Sequence, residues 1–149
     1  MKLERISSRP VVRAARSCTL QEAADLMRRH HVGALVVTND VPNQHRVLGI
    51  VTDRDLVIKA MAEGTAPGAA TLADVMTEGL ATVKQTADVR SAVELMRVNG
   101  VRRLGVTDEA GVVVGFVSLD DLLTGFATEF ASLARIIEAE REHEFEQET

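Results

Sequence analysis

Apolar positions along this chain switch between a period of two and a period near 3.6, and the same succession runs through twice. Residues 1–9 read as an irregular or short helical lead-in. Pro10-Val11-Val12-Arg13-Ala14 reads as a short edge strand, proline being tolerated at its start. Thr19-Leu20-Gln21-Glu22 has the form of a capping box, and Ala23, Ala24, Leu26 and Met27 continue it as an amphipathic helix to about His31. Gly33 is expected to end that helix. Ala34 to Thr38 then reads as a buried strand, Asn39 to Arg46 as a loop, and Val47 to Val51 as the next strand. A helix from Asp53 to about Glu63 closes the unit. Gly64 to Ala70, rich in Gly, Pro and Ala, is the natural linker.

The order then recurs. Thr71 to Asp74 caps a short helix through Met76, Leu80 to Val83 matches the first strand, and Asp88 caps a helix carrying Ala92, Leu95 and Met96. Ala23 to Met27 aligns with Ala92 to Met96 at an offset of 69, as Val32 to Thr38 does with Val101 to Thr107. Gly49-Ile50-Val51-Thr52-Asp53-Arg54-Asp55-Leu56 aligns with Gly115-Phe116-Val117-Ser118-Leu119-Asp120-Asp121-Leu122 at 66, so the first copy holds three extra loop residues. Each copy is a β-α-β-β-α unit of about 55–60 residues, a size at which one alone is marginal. The expected fold is therefore α+β: two repeats packed sheet to sheet with pseudo-two-fold symmetry, plus a C-terminal helix. The expected divisions are a first repeat with its lead-in over 1–63, a linker over 64–72, a second repeat over 73–126 and a tail over 127–149. In that tail Phe126, Phe130, Leu133 and Ile137 share one helical face, which suggests a dimer contact.

Composition changes this picture little. With no Trp or Tyr and four Phe, the core must be aliphatic. The longest uncharged stretch is far too short for a bilayer, the N-terminus has no apolar signal region, and the single Cys18 allows no internal disulfide. Cytoplasm is the expected location. The net charge of -5 divides into +4 over residues 1–62 and -9 over 63–149, with seven Glu against two Arg from Gly125 onward. Arg9, Arg13 and Arg16 could form a basic patch, but nucleic-acid binding would need a broader basic face. His30-His31 has no companions at ligand spacing, so no metal site is expected. No nucleophile–base pattern and no glycine-rich phosphate loop occur. Catalysis is not expected.

These two copies in register resemble the cystathionine-β-synthase (CBS) domain family, specifically a stand-alone tandem pair, over about residues 8–126. The resemblance rests on Glu22 to Met27, Gly33 to Val37, Gly49 to Leu56, Asp74-Val75-Met76-Thr77, Ala92 to Met96, Val101 to Val106 and Gly115 to Leu122. One departure is Gly105, where family members often have proline; it is expected to loosen a strand end. The resemblance implies a regulatory module that binds adenosyl ligands such as AMP, ADP, ATP, S-adenosylmethionine or NAD in clefts between the repeats. It also implies dimerisation into a flat disc, with output passing to a separate effector protein or to the tail.

On that basis Asp55 and Asp121 are the expected ribose ligands, and Thr52 and Ser118 the hydroxyl contacts to ribose or phosphate. Val51, Val117, Val32 and Val101 would sandwich an adenine ring. Arg54, set where the second corner has Asp120, suits a phosphate, and Arg102 or Arg103 would bring a cation to the second cleft. Arg13 and Thr82, which begin the first strand of each copy, are family positions that face a ligand. The competing explanation is local: Thr-x-x-Asp and Ser-x-x-Asp are themselves capping boxes and account for each corner without any ligand.

Overall fold

The computed structural model describes residues 1–7, 11–42 and 46–148. Ser8, Arg9 and Pro10 lie outside it, and with them the start of the expected first strand and one arginine of the basic patch. In the first repeat the chain forms β1 (Arg13–Ala15), α1 (Leu20–His30), β2 (Ala34–Thr38), β3 (Val47–Thr52) and α2 (Asp53–Asp55). The second contributes α3 (Leu72–Val75), β4 (Thr77–Glu78), β5 (Thr82–Lys84), α4 (Val89–Asn99), β6 (Arg103–Thr107), β7 (Val113–Ser118) and α5 (Leu119–Glu148). The fold is mixed α+β, with two sheets.

α1 starts as its sequence dictates. The Glu22 N–H donates to Thr19 Oγ1 at 3.1 Å while the Thr19 N–H donates to Glu22 Oε2 at 3.0 Å. Leu20, Ala23 and Met27 form its buried face. The helix ends at His31 rather than at Gly33, because His31 takes the left-handed cap with φ 53° where α4 uses Gly100 with φ 63°. Histidine tolerates that region better than most side chains, and the offset of 69 places the two caps in equivalent positions.

The first sheet has the order β1-β2-β3-β4, and the second β5-β6-β7. In each, the first strand runs parallel to the second and the following hairpin is antiparallel. Both hairpins shift register at the same place, after Val37 and after Val106, which re-aims equivalent side chains in both repeats. Three apolar clusters follow from the strand alternation. One lies under α1 and includes Leu35, Val37 and Val51; its counterpart lies under α4 and includes Leu104, Val106 and Val117. The third, Val36, Val113 and Phe116 with Val47, Ile50 and Leu80 packed on it, joins the two sheets. Gly105 is central in β6, not at a strand end. Its N–H donates to the Ala81 carbonyl at 2.9 Å, a bond proline could not make, and a Cβ there would press on the Leu80 side chain.

The repeats also exchange segments. Leu3, in a short 3-10 turn over Leu3–Arg5, is fully buried in the cluster of the second repeat. Leu72 of α3 is fully buried in the cluster of the first. β4 then completes the first sheet by pairing Gly49 with Glu78 and Ile50 with Thr77.

Two helices differ from the regular form expected. After one α-helical turn at Asp53–Asp55, the chain widens into π-helical turns over Leu56–Met61, with the Ala62 N–H on the Val57 carbonyl at 2.9 Å. α5 runs unbroken for 30 residues from the second corner, and only Leu122 and Gly125 in it are buried. Phe130 on its tail is 69% exposed.

Candidate functional site

The two corners are built alike. At the end of β3 the Thr52 N–H donates to Asp55 Oδ2 at 2.9 Å and the Asp55 N–H to Thr52 Oγ1 at 3.2 Å. At the end of β7 the Ser118 N–H donates to Asp121 Oδ2 at 2.8 Å and the Asp121 N–H to Ser118 Oγ at 3.1 Å. Each corner is tied to the strand beside it: the Asp53 N–H donates to the Gly33 carbonyl at 3.0 Å and the Leu119 N–H to the Arg102 carbonyl at 2.8 Å. The capping boxes are thus formed in full, and each carboxylate keeps one oxygen for another partner. Asp55 Oδ1 lies 3.3 Å from Lys59 Nζ, one turn on, an i,i+4 pair readable from the sequence that the motif reading passed over.

A cleft of about 640 Å³ opens between the repeats. From the first corner it receives Thr52, Arg54 and Asp55, and from the second Ser118, Leu119 and Asp120. Arg102 and Arg103 come from the start of β6, and Ile50, Leu80 and Val101 supply apolar walls. Thr77, Gly79 and Ala81, from the segment that exchanges between repeats, close the remaining side. The cleft therefore joins an apolar slot, the carboxylates of Asp55 and Asp120, and three arginines. That combination suits a planar ring, a diol and an anionic group.

Other expected residues lie elsewhere. Val51 and Val117 have no exposed surface and belong to the two cores, so the apolar wall on β3 is Ile50. Successive strand residues point to opposite faces, and a shift of one along the strand exchanges wall for core. Val32 packs on the first core, while its counterpart Val101 reaches the cleft. Asp121 lines a separate groove of about 430 Å³ beside Arg5, Thr124 and Thr128. Arg13 donates from Nη2 to the Val113 carbonyl at 2.6 Å and lines a third hollow beside Arg46 and Val112. Thr82 is exposed on β5, outside the residues that line the cleft. Gly79, Leu80 and Ala81 were missed because they precede a strand and carry no reactive group.

Burial, reinforced by Glu22, pushes the Cys18 thiol up to about 11, so it is a neutral thiol near neutral pH. Among the described residues no group of three or more His, Cys, Asp or Glu is placed to hold a metal ion. Among the described residues no helix is long and apolar enough to cross a membrane.

Known proteins share this architecture. Hypoxic response protein 1 of Mycobacterium tuberculosis is 33% identical over 121 residues, covering 78% of this chain and 82% of that protein. Its crystal structure, with two coordinated zinc ions, matches with a TM-score of 0.66 over 83% of this chain and 98% of that one. An uncharacterized protein of Methanopyrus kandleri is 35% identical over 118 residues; the match covers 79% of this chain and 59% of that longer protein. A CBS domain protein of Pyrobaculum aerophilum, solved in complex with AMP, matches with a TM-score of 0.70 at 27% identity, covering 86% of this chain and 99% of that one. The family model of the CBS domain matches residues 3–61 and 72–127, which brings Leu3 into the first match and leaves the segment 62–71 and the α5 tail from 128 outside. Two matched repeats, two sheets whose strands correspond at offsets of 69 and 66, and a cleft between their corners have one conclusion: the chain belongs to the CBS domain family, as a tandem pair.

Proposed function

We propose that this chain is a non-catalytic regulatory module that binds an adenine nucleotide of the AMP, ADP or ATP type and reports energy or metabolite state in the cytoplasm. The observation that carries this reading is the cleft, in which the Thr52–Asp55 corner of one repeat meets the apolar and cationic residues of the other. Asp55 would accept hydrogen bonds from ribose hydroxyls, with Thr52 beside it, while Ile50, Leu80 and Val101 hold the ring. The AMP bound by the Pyrobaculum protein supports the ligand class. S-adenosylmethionine and NAD share the adenosyl group and belong to the same test. Because a ligand there touches both repeats, it favours one relative orientation of them, and the output passes to an effector protein or to α5. Homodimerisation is part of the proposal, with the exposed Phe126, Phe130, Leu133 and Ile137 stripe of α5 as one contact.

The completed capping boxes favour a second reading, a ligand-independent interaction module, because every corner bond described is satisfied without ligand. Thermal unfolding with millimolar AMP, ADP, ATP, S-adenosylmethionine and NAD separates the two. A ligand present at about a hundred times its dissociation constant adds roughly 2.7 kcal/mol, a clear shift for a chain of this size. A melt unmoved by all five compounds selects the interaction module.

A further inference from the structure

The two repeats differ in charge at equivalent positions. Arg54 of the first corner corresponds to Asp120 of the second, and Arg102 and Arg103 correspond to Gly33 and Ala34. All three arginines line the one cleft. Backbone bonds hold two of them there: the Leu119 N–H on the Arg102 carbonyl fixes the start of β6 against the second corner, and Arg103 pairs with Ser118 in the sheet. The equivalent bond in the first repeat presents Gly33 instead, and a Cβ on Gly33 would lie 3.1 Å from Asp53 Oδ2. At the corner itself, the first repeat has a guanidinium where the second has a carboxylate.

None of these three guanidiniums is ion-paired among the described residues, whereas Arg28, Arg29 and Arg97 on the helices are. Of the two carboxylates at the cleft, Asp55 is already balanced by Lys59, which leaves Asp120 against three positive charges. One guanidinium grips one phosphate through two parallel bonds, so three arriving from two sides match more than one phosphate group. The same charges repel a sulfonium cation.

We propose that this cleft takes one nucleoside di- or triphosphate per chain, with its phosphates spanning Arg54 of the first repeat and Arg102 and Arg103 of the second. The polyphosphate then acts as the tie between the repeats, and the cleft discriminates against both monophosphates and S-adenosylmethionine. The proposal rests on the adenosyl reading for the base and ribose alone; the preference for a chain of phosphates rests on the arginines.

Isothermal titration of the full chain at fixed ionic strength, with AMP, ADP, ATP, S-adenosylmethionine and sodium tripolyphosphate, tests it. The expected result is one site per chain, with ADP and ATP bound about tenfold or more tighter than AMP and no heat from S-adenosylmethionine. Arg54→Gln and Arg102→Gln, both at exposed positions, should each cost ADP and ATP more affinity than they cost AMP, so that the preference narrows. Arg90→Gln, exposed on α4 away from the cleft, should change nothing. AMP bound as tightly as ADP, or S-adenosylmethionine bound at all, would overturn the polyphosphate assignment and leave the adenosyl reading standing. Tripolyphosphate bound while every adenosyl compound fails would keep the phosphate clamp and remove the adenosyl reading. Silence from all five ligands would overturn both.

Discussion

Asp55 serves two partners at once: its Oδ2 accepts the Thr52 N–H at 2.9 Å, and its Oδ1 lies 3.3 Å from Lys59 Nζ. Lys59 in turn reaches the Val75 carbonyl at 3.3 Å and Thr77 Oγ1 at 3.4 Å. The carboxylate at the edge of the cleft is therefore linked to the α3–β4 segment, which contributes Thr77 to the cleft and Leu72 to the core of the other repeat.

The two corner aspartates should consequently differ in stability terms as well as in binding. Asp121→Ala removes a cap and costs about 0.5–2 kcal/mol. Asp55→Ala removes a cap and also leaves Lys59 without its carboxylate, so its cost should equal or exceed that of Asp121→Ala. Urea denaturation of both variants measures the difference. A smaller loss for Asp55→Ala would mean that Lys59 contributes nothing to the corner.

Leu3 and Leu72 should behave as one residue seen twice. Both are fully buried, each in the core of the opposite repeat. Leu3→Ala and Leu72→Ala should each cost about 2–5 kcal/mol, as large-to-small changes at closed sites do. A near-neutral Leu3→Ala in chemical denaturation would show that the N-terminal turn is not part of the second core.

β4 can approach β3 only because position 49 has no side chain: a Cβ on Gly49 would overlap the Thr77 carbonyl oxygen. Gly49→Ala should therefore push β4 away and destabilise the protein by about 1–3 kcal/mol. Gly68, where a Cβ meets nothing within 4 Å, serves as the control. Equal melting temperatures for Gly49→Ala and Gly68→Ala would contradict the pairing.

Much of this architecture was legible because its signals are local. The Thr19–Glu22 box, the buried run from Ala34 to Thr38 and both corner motifs depend on residues within a few positions of one another. The exchange of Leu3 and Leu72 was present as the same offset of 69, but one leucine near a terminus carries no periodicity to announce it. The pairing of Gly49 with Glu78 and the meeting of Arg54 with Arg102 and Arg103 are long-range consequences of packing two repeats. Val51 and Val117 were displaced from the cleft by a single step of strand alternation, which a motif read as a block does not resolve. The π-helical turns after Asp55 have no sequence signal we can identify.

On α5, Leu123, Phe126, Phe130, Leu133 and Ile137 recur at alternating spacings of three and four, and all are exposed. If this stripe joins two copies, Phe130→Asp and Leu133→Asp should each weaken self-association about tenfold or more in sedimentation equilibrium. Unchanged association would place the dimer contact elsewhere on the repeats.

Cys18 should resist alkylation. With its thiol pushed up to about 11, only about one molecule in a thousand carries the thiolate at pH 8. The rate with iodoacetamide should be far below that of a free cysteine at pH 8 and climb as pH approaches 11. A rate equal to the free amino acid at pH 8 would show that burial and Glu22 do not protect it.

The central claim is that the cleft binds an adenosyl phosphate through the Asp55 corner, and titration calorimetry with ADP on the wild type, Asp55→Ala and Asp121→Ala tests it most directly. The account predicts one site in the wild type, loss of most of the affinity in Asp55→Ala, and affinity within about threefold of wild type in Asp121→Ala, whose carboxylate lines a different groove. Binding that survives Asp55→Ala and disappears in Asp121→Ala would contradict it.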